Sequence, residues 1–188
     1  MTPGPATFYY DFNSPYAYFS ATRVDDVMAT GARWQPIAFA FLLIAHQRVP
    51  WSLESEGSRE AGKRECEARA ERYGLPAMAW PPGWPRESYS VAPLRAALVA
   101  ERAGRLKEFS LAAYERNFVT GEGLRGLEDI LAVARVAGVA EQAVREGLED
   151  PSIKGALKGA TDSALAAGVH GVPTVAVGDQ LFWGDDRL

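Results

Sequence analysis

The amino-acid sequence predicts an α/β fold in which a long helical region interrupts the strands. Three observations lead to this class. The chain begins with a strand–helix–strand pattern, continues with helical periodicity from about residue 41 to residue 167, and ends in the pattern of a β-hairpin. Its 188 residues, 47% of them hydrophobic, are enough for one good core with an inserted lobe.

The first strand–helix–strand unit is predicted from residues 7–39. Thr7–Phe12 is apolar and aromatic, which is typical of a buried strand. Ser14 suits a helix N-cap, and Pro15 suits the first helical position, where its missing N–H costs nothing. We expect this helix to continue to about residue 30. Arg33–Phe39 predicts a second, parallel strand, placed at a sheet edge or bulge because Pro36 cannot complete a ladder.

The central region carries Leu, Ala, Ile and Val at positions i, i+3 and i+4, so its helices should pack as a bundle. The segments 42–55 and 75–88 are rich in loop-forming residues. The predicted helices are Glu56–Tyr73, Ala92–Ala103, Leu106–Phe118, Gly126–Ala137, Ala140–Glu149 and Ser152–Ala167.

The C-terminal region returns to strands. Thr174–Val177 and Gln180–Trp183 flank a Gly-Asp turn, which predicts a β-hairpin. The Gly184–Asp186 segment that follows resembles a helix start, because acidic residues suit the positive end of a helix.

This order of elements is the thioredoxin-like plan with a helical insertion. Residues 1–40 and 168–188 form the discontinuous thioredoxin-like domain, and residues 41–167 form the inserted helical domain. Ser14–Tyr16 stands at the strand–helix junction where thioredoxin-like enzymes carry a reactive Cys-Pro-x-Cys. Gly171–Thr174 precedes the hairpin, where this fold holds a cis-proline. We therefore expect a cis Val172–Pro173 bond close to Ser14.

Composition excludes several functions. The net charge of −4 and the pI of about 5.3 give no indication of a nucleic-acid groove or a basic membrane patch. No apolar run approaches the roughly 20 residues of a membrane helix, and the first residues lack the features of a signal peptide, so we expect a cytoplasmic protein. The single cysteine, Cys66, cannot form an intrachain disulfide and is interpreted as a helix residue. His46 and His170 lack metal-ligand spacing, and we predict no metal site.

The motifs "DFNSPYAYF", "ERYGLP", "AAYERNFVTGEGLRGLEDIL", "GVPT" and "FWGDDRL" resemble those of the bacterial 2-hydroxychromene-2-carboxylate isomerases. These enzymes are relatives of the kappa-class glutathione transferases and, more distantly, of thioredoxin-like disulfide oxidoreductases. The resemblance covers nearly the whole chain, from Phe8 to Leu188. It implies glutathione as cofactor, a small aromatic substrate and a homodimer.

Ser14 is the catalytic residue that the resemblance implies, since the family uses its counterpart to bind and activate the glutathione thiol. A hydroxyl at a helix N-terminus can donate a hydrogen bond to a thiolate, which lowers the thiol pKa and raises its nucleophilic fraction. The implied reaction is thiolate addition to a conjugated aromatic α-keto acid, bond rotation and elimination. The alternative is that Ser14 only caps the helix.

The resemblance also implies the remaining glutathione-binding residues. Val172 should present its backbone N–H and C=O to the cysteinyl unit as a strand edge would. The loop of Trp183, Gly184, Asp185 and Asp186 should hold the γ-glutamyl end, with a carboxylate for its ammonium group and helix N–H groups for its carboxylate. The alternatives are a buried core valine and plain helix capping by the aspartates.

The sequence departs from the family pattern after the second strand. The isomerases typically carry a lysine there and an asparagine shortly beyond, lining the site for an acidic substrate. Here Ile44 or His46 stands at the lysine position and Gln47 near the asparagine, so Gln47 is the candidate substrate-binding residue. Arg48 is a possible replacement cation. Glu87 also stands where an asparagine is usual.

Two other functions stay open from the sequence. A glutathione-conjugating transferase would use the same Ser14 with a different electrophile pocket. A catalytically silent thioredoxin-like binding protein would keep the fold without glutathione affinity. A disulfide oxidoreductase is excluded, because Ser14 and Ala17 replace both redox cysteines.

Overall fold

The computed structural model describes residues 6–28, 30–88 and 91–188. A four-stranded sheet with the order β2-β1-β3-β4 forms one part of the molecule. Its strands are β1 (Ala6–Tyr10), β2 (Ala32–Pro36), β3 (Thr174–Val177) and β4 (Gln180–Trp183). β1 pairs with β2 in parallel and with β3 antiparallel, and β4 completes the hairpin beside β3. The predicted α/β class, the edge position of β2 and the pairing of the C-terminal hairpin with the first strand are all confirmed.

Ten α-helices occupy the described residues. They are α1 (Pro15–Ala21), α2 (Val24–Val27), α3 (Phe39–Ala45), α4 (Trp51–Glu54), α5 (Glu56–Arg72), α6 (Ala92–Arg102), α7 (Leu106–Phe118), α8 (Leu127–Ala137), α9 (Glu141–Glu149) and α10 (Pro151–Ala166). Short 3₁₀ helices cover Arg86–Ser88 and Asp185–Arg187. None of the helices in the described ranges is long and apolar enough to cross a membrane.

The prediction for residues 33–55 was partly wrong. The second strand ends at Pro36 rather than Phe39, and the segment assigned to loops, 42–55, contains most of α3 and all of α4. The reason is tertiary packing. Leu42 of α3 is fully buried in a small apolar cluster with Ile37, Ala164 and Val172, which stabilises a helix of only seven residues.

The helix predicted after Ser14 is also divided in two. α1 ends at Ala21 because Thr22 is its C-cap, and the Thr22 hydroxyl donates to the carbonyl of Phe19 at 2.9 Å. α2 then begins at Val24.

The main core is aromatic and extends from the sheet into the helices. Phe8 and Tyr10 of β1 stack with ring centroids 5.2 Å apart, and Tyr10 continues to Tyr114 of α7 at 6.2 Å. The Tyr10 hydroxyl is bonded to the Ser110 hydroxyl at 2.7 Å, which satisfies a fully buried polar group. Because one buried cluster joins the sheet to α6, α7 and α8, the proposed division into two domains stays a prediction.

A buried carboxylate fixes the junction after β1. The Asp11 carboxylate accepts hydrogen bonds from the backbone N–H groups of Asn13 and Phe39, both at 2.9 Å. It thereby ties the start of α1 to the start of α3. Burial raises the pKa of Asp11 to about 6, although the two hydrogen bonds oppose that shift. From α7, the Asn117 amide donates to the carbonyl of Phe12 at 2.8 Å and secures the same loop.

Candidate functional site

Ser14 stands at the N-terminus of α1 and faces the loop that precedes β3. Its hydroxyl oxygen accepts a hydrogen bond from the backbone N–H of Ala17 at 3.2 Å, so Ser14 is the predicted N-cap. The hydroxyl also donates to the carbonyl of Val172 at 3.4 Å. The Val172–Pro173 bond is cis. The predicted cis bond and its proximity to Ser14 are therefore confirmed, and α1 and the Val172 loop form two sides of one site.

A cavity of about 540 Å³ opens at this junction, within the size range of small-molecule sites. All six residues predicted to bind glutathione line it. They are Ser14, Val172, Trp183, Gly184, Asp185 and Asp186. Gln47 does not line it. That residue is exposed with a φ of 51°, and it lies on a shallow apolar surface beside the cavity.

The two aspartates of the C-terminal loop have different surroundings. The Asp185 carboxylate, 1% exposed, accepts hydrogen bonds from Arg69 at 2.7 Å and from the Tyr73 hydroxyl at 2.9 Å. Both of its oxygens are thus engaged by α5 and the residue that follows it. Asp186 is exposed, and its carboxylate forms no ion pair within the described part of the chain. Asp185 anchors the loop, whereas Asp186 is available to a ligand.

Part of the cavity wall is aromatic. Trp51 of α4 lies between Tyr16 and Trp84, with ring centroids at 6.3 Å and 5.6 Å. Arg48 also lines the cavity, and its guanidinium carbon lies 4.8 Å from the centroid of Trp183. Trp51 and Trp84 were not among the site residues predicted from the sequence. The only available signal was that both occur in segments otherwise assigned to loops, where a large apolar side chain needs a partner.

Two glycines allow the indoles of Trp51 and Trp183 to approach the backbone. The Trp51 ring occupies the space that a Cβ on Gly62 of α5 would need. A Cβ on Gly171 would lie 2.6 Å from the Trp183 Nε1 atom, which is closer than side chains tolerate. Gly62 and Gly171 therefore shape the cavity without contributing a side chain to it.

Cys66, His46 and His170 do not line the cavity. Cys66 is fully buried in α5, and burial raises the pKa of its thiol to about 12, so it carries almost no thiolate near neutral pH. His46 and His170 pack against each other with ring centroids 5.1 Å apart, and neither lines the cavity. Within residues 6–28, 30–88 and 91–188, no group of three or more His, Cys, Asp or Glu side chains is arranged to hold a metal ion.

Comparison with known proteins identifies the family. The model of the DSBA-like thioredoxin domain matches residues 6–188. The chain belongs to the DSBA-like thioredoxin family. Among solved structures, a 2-hydroxychromene-2-carboxylate isomerase superposes with a TM-score of 0.86 at 21% identity, covering 98% of this chain and 90% of that one. A probable DsbA oxidoreductase from Streptomyces coelicolor gives a TM-score of 0.72 at 19% identity, with 96% and 83% coverage.

Curated relatives of this DSBA-like chain are named as isomerases. The 2-hydroxychromene-2-carboxylate isomerase of Sphingobium xenophagum is 29% identical over 185 residues, which is 96% of this chain and 92% of the relative. The enzyme of the same name from Pseudomonas putida is 26% identical over 187 residues, with 96% and 89% coverage. The resemblance inferred from the motifs is confirmed, and these relatives support an isomerase activity.

Proposed function

We propose that the protein is a glutathione-dependent cis–trans isomerase of an aromatic α-keto acid. The observation that carries the proposal is that the Ser14 hydroxyl and the Val172 backbone meet at one cavity. An acidic loop (residues 183–186) and an aromatic wall (Tyr16, Trp51 and Trp84) also line this cavity. A thiol tripeptide suits the polar side, and an aromatic substrate suits the side of Tyr16, Trp51 and Trp84. The homodimer expected from the resemblance stays a prediction.

In this proposal the Ser14 hydroxyl changes its acceptor when glutathione binds. Its bond to the Val172 carbonyl is long at 3.4 Å, and a thiolate is a stronger, charged acceptor. Turning away would also free the Val172 carbonyl for the cysteinyl N–H of the ligand. Because α1 has only seven residues, the hydroxyl rather than the helix dipole supplies most of the thiolate stabilisation.

The reaction balances with glutathione regenerated. The thiolate forms a C–S bond to the conjugated carbon, and the electron pair of the C=C bond moves onto the keto oxygen as an enolate. The resulting single bond rotates. Collapse of the enolate restores the C=C bond in the other geometry and expels the thiolate. Ser14 holds the thiolate before addition and receives it again after elimination.

The variant Ser14→Ala tests this role. Loss of one hydrogen bond to an anion is worth about 1.5–3 kcal/mol, so the isomerisation rate should fall by about one to two powers of ten. The pKa of the bound glutathione thiol, followed by thiolate absorbance against pH, should rise. Most of the glutathione affinity should remain, since Val172 and the 183–186 loop are unchanged.

Ser55→Ala is the matched control for the capping role. Ser55 caps α5 by accepting from the N–H of Ser58 at 3.0 Å, and it does not line the cavity. Both variants should lose about 1 kcal/mol of stability. If Ser14→Ala and Ser55→Ala also match in rate and thiol pKa, Ser14 is a cap only.

A glutathione transferase is the second candidate, and one observation favours it. Among the described residues that line the cavity, the cations are Arg48 and Arg69. The lysine that is typical of the isomerases and lines their site for an acidic substrate is not among these residues. Parallel assays of isomerisation and of conjugation to a generic electrophile separate the two activities. Glutathione binding without turnover in either assay would indicate a binding protein.

A further inference from the structure

Arg48 is a cation at the cavity without a carboxylate partner. It lies in the segment that connects α3 to α4, is exposed, and lines the cavity together with Trp183. The other cavity arginine, Arg69, is committed to Asp185 and to Glu65, both at 2.7 Å. Within the part of the chain that the structure describes, no carboxylate lies within ion-pair distance of Arg48. A guanidinium is therefore available at the cavity wall.

The contact with Trp183 orients this guanidinium. Its central carbon lies 4.8 Å from the indole centroid, within the range of a cation–π interaction. A guanidinium beside a ring keeps its N–H donors available at its edge, in the fork that matches a carboxylate. Trp183 itself is held close to the Val172 loop, because Gly171 leaves space for the indole.

We propose that Arg48, supported by Trp183, is the residue that binds a ligand carboxylate in this cavity. The inference rests on the proposed function for its choice of ligand. Two carboxylates share the required chemistry: that of the glycyl end of glutathione and that of the aromatic keto acid. In either case, Arg48 rather than the neighbouring Gln47 determines specificity for an acid, since Gln47 lies outside the cavity.

The test measures binding alone, which keeps it separate from the test of Ser14. Arg48→Gln and Arg48→Lys are compared with Arg72→Gln, an exposed arginine on α5 that does not line the cavity. The probes are glutathione, the glutathione analogue in which an amide replaces the glycyl carboxylate, benzoate and benzamide. Dissociation constants are measured by calorimetry, with wild type and each variant.

The result distinguishes the two sources of the carboxylate. If Arg48 binds the glycyl end, Arg48→Gln weakens glutathione by roughly 10- to 150-fold and leaves the affinity of the glycyl-amide analogue unchanged. If it binds the substrate, the same loss falls on benzoate and spares benzamide. Arg48→Lys should retain only part of the affinity, because an ammonium lacks the fork.

Gly171→Ala provides an independent variant that keeps every charge. It should displace the Trp183 indole, change tryptophan fluorescence and weaken the same probe as Arg48→Gln, to a smaller extent. Equal affinities in Arg48→Gln and Arg72→Gln for all four probes would overturn the proposal, as would a wild-type protein that binds neither glutathione nor benzoate. If the protein does not catalyse the proposed isomerisation but the variants still differ in affinity for the carboxylate probes, the Arg48 proposal is supported and the proposed function is not.

Discussion

The adjacent residues Asp185 and Asp186 should respond to substitution in opposite ways. Asp185→Asn removes a charge that is 1% exposed and bonded to Arg69 and Tyr73. Breaking one side of a buried ion pair costs about 3–5 kcal/mol, because it leaves the other charge unpaired. Arg69 is 19% exposed at its side chain and retains Glu65, so we expect the lower end, about 3 kcal/mol. For a chain of this size, the melting temperature should fall by roughly 6–12 °C.

Asp186→Asn is the matched control, since it makes the same chemical change one residue further on. Its carboxylate is exposed, so stability should change by less than about 0.5 kcal/mol. Under the proposed function, this carboxylate receives the γ-glutamyl ammonium, and its loss should weaken glutathione by about tenfold or more.

Urea unfolding and glutathione calorimetry at low temperature, where both variants are folded, provide the two measurements. The expected pattern is a stability loss without an affinity loss for Asp185→Asn, and the reverse for Asp186→Asn. If Asp185→Asn weakens glutathione while leaving the urea midpoint unchanged, the assignment of Asp185 as the loop anchor is wrong.

Two further predictions concern Asp11 and Gly62. Burial holds the pKa of Asp11 at about 6, above its ordinary value of 3.8, so its contribution to stability is full below about pH 4 and is lost as the pH rises through 6. Asp11→Asn should remove that slope, worth up to about 3 kcal/mol, from urea unfolding curves collected between pH 4 and 8, whereas parallel curves for the two proteins would contradict the burial argument. Gly62→Ala should displace the Trp51 ring and weaken aromatic acids about 2- to 10-fold. Gly57→Ala on the same helix is the control, because a Cβ there meets only the Ser55 hydroxyl at 4.0 Å, and it should stabilise α5 by about 0.5–1 kcal/mol. Equal stability and equal affinity for aromatic acids in the two glycine variants would show that the Trp51 ring moves without affecting binding.

The fold and half of the cavity could be predicted because their signals are local. Ser14 with Pro15 marks a helix start, Gly178 marks a hairpin turn, and the Val172–Pro173 pair stands in a recognisable loop. The aromatic wall could not be predicted in the same way. Trp51 and Trp84 are separated by the whole of α5, and only tertiary packing places their rings 5.6 Å apart.

Gln47 is the substrate-binding candidate from the sequence because it stands near the asparagine position of the family pattern, but Arg48 is the residue that lines the cavity. α3 ends at Ala45, His46 is its C-cap, and Gln47 adopts a left-handed φ of 51°. Gln47 and Arg48 both border the apolar surface beside the cavity, but of the two only Arg48 also lines the cavity. A left-handed conformation at a glutamine has no strong sequence signal, since glycine and asparagine are the residues that favour it.

Cys66 is not placed to supply a reactive thiol. It is the one cysteine of this sequence, it is fully buried, and burial raises its pKa to about 12. Dithiol exchange requires two accessible sulfurs, and Ser14 with Ala17 supplies none at the junction after β1. Thiol chemistry at this site would therefore have to use the sulfur of a ligand. A hydroxyl suits that task better than a cysteine would, because it can donate to a thiolate without forming a mixed disulfide with it.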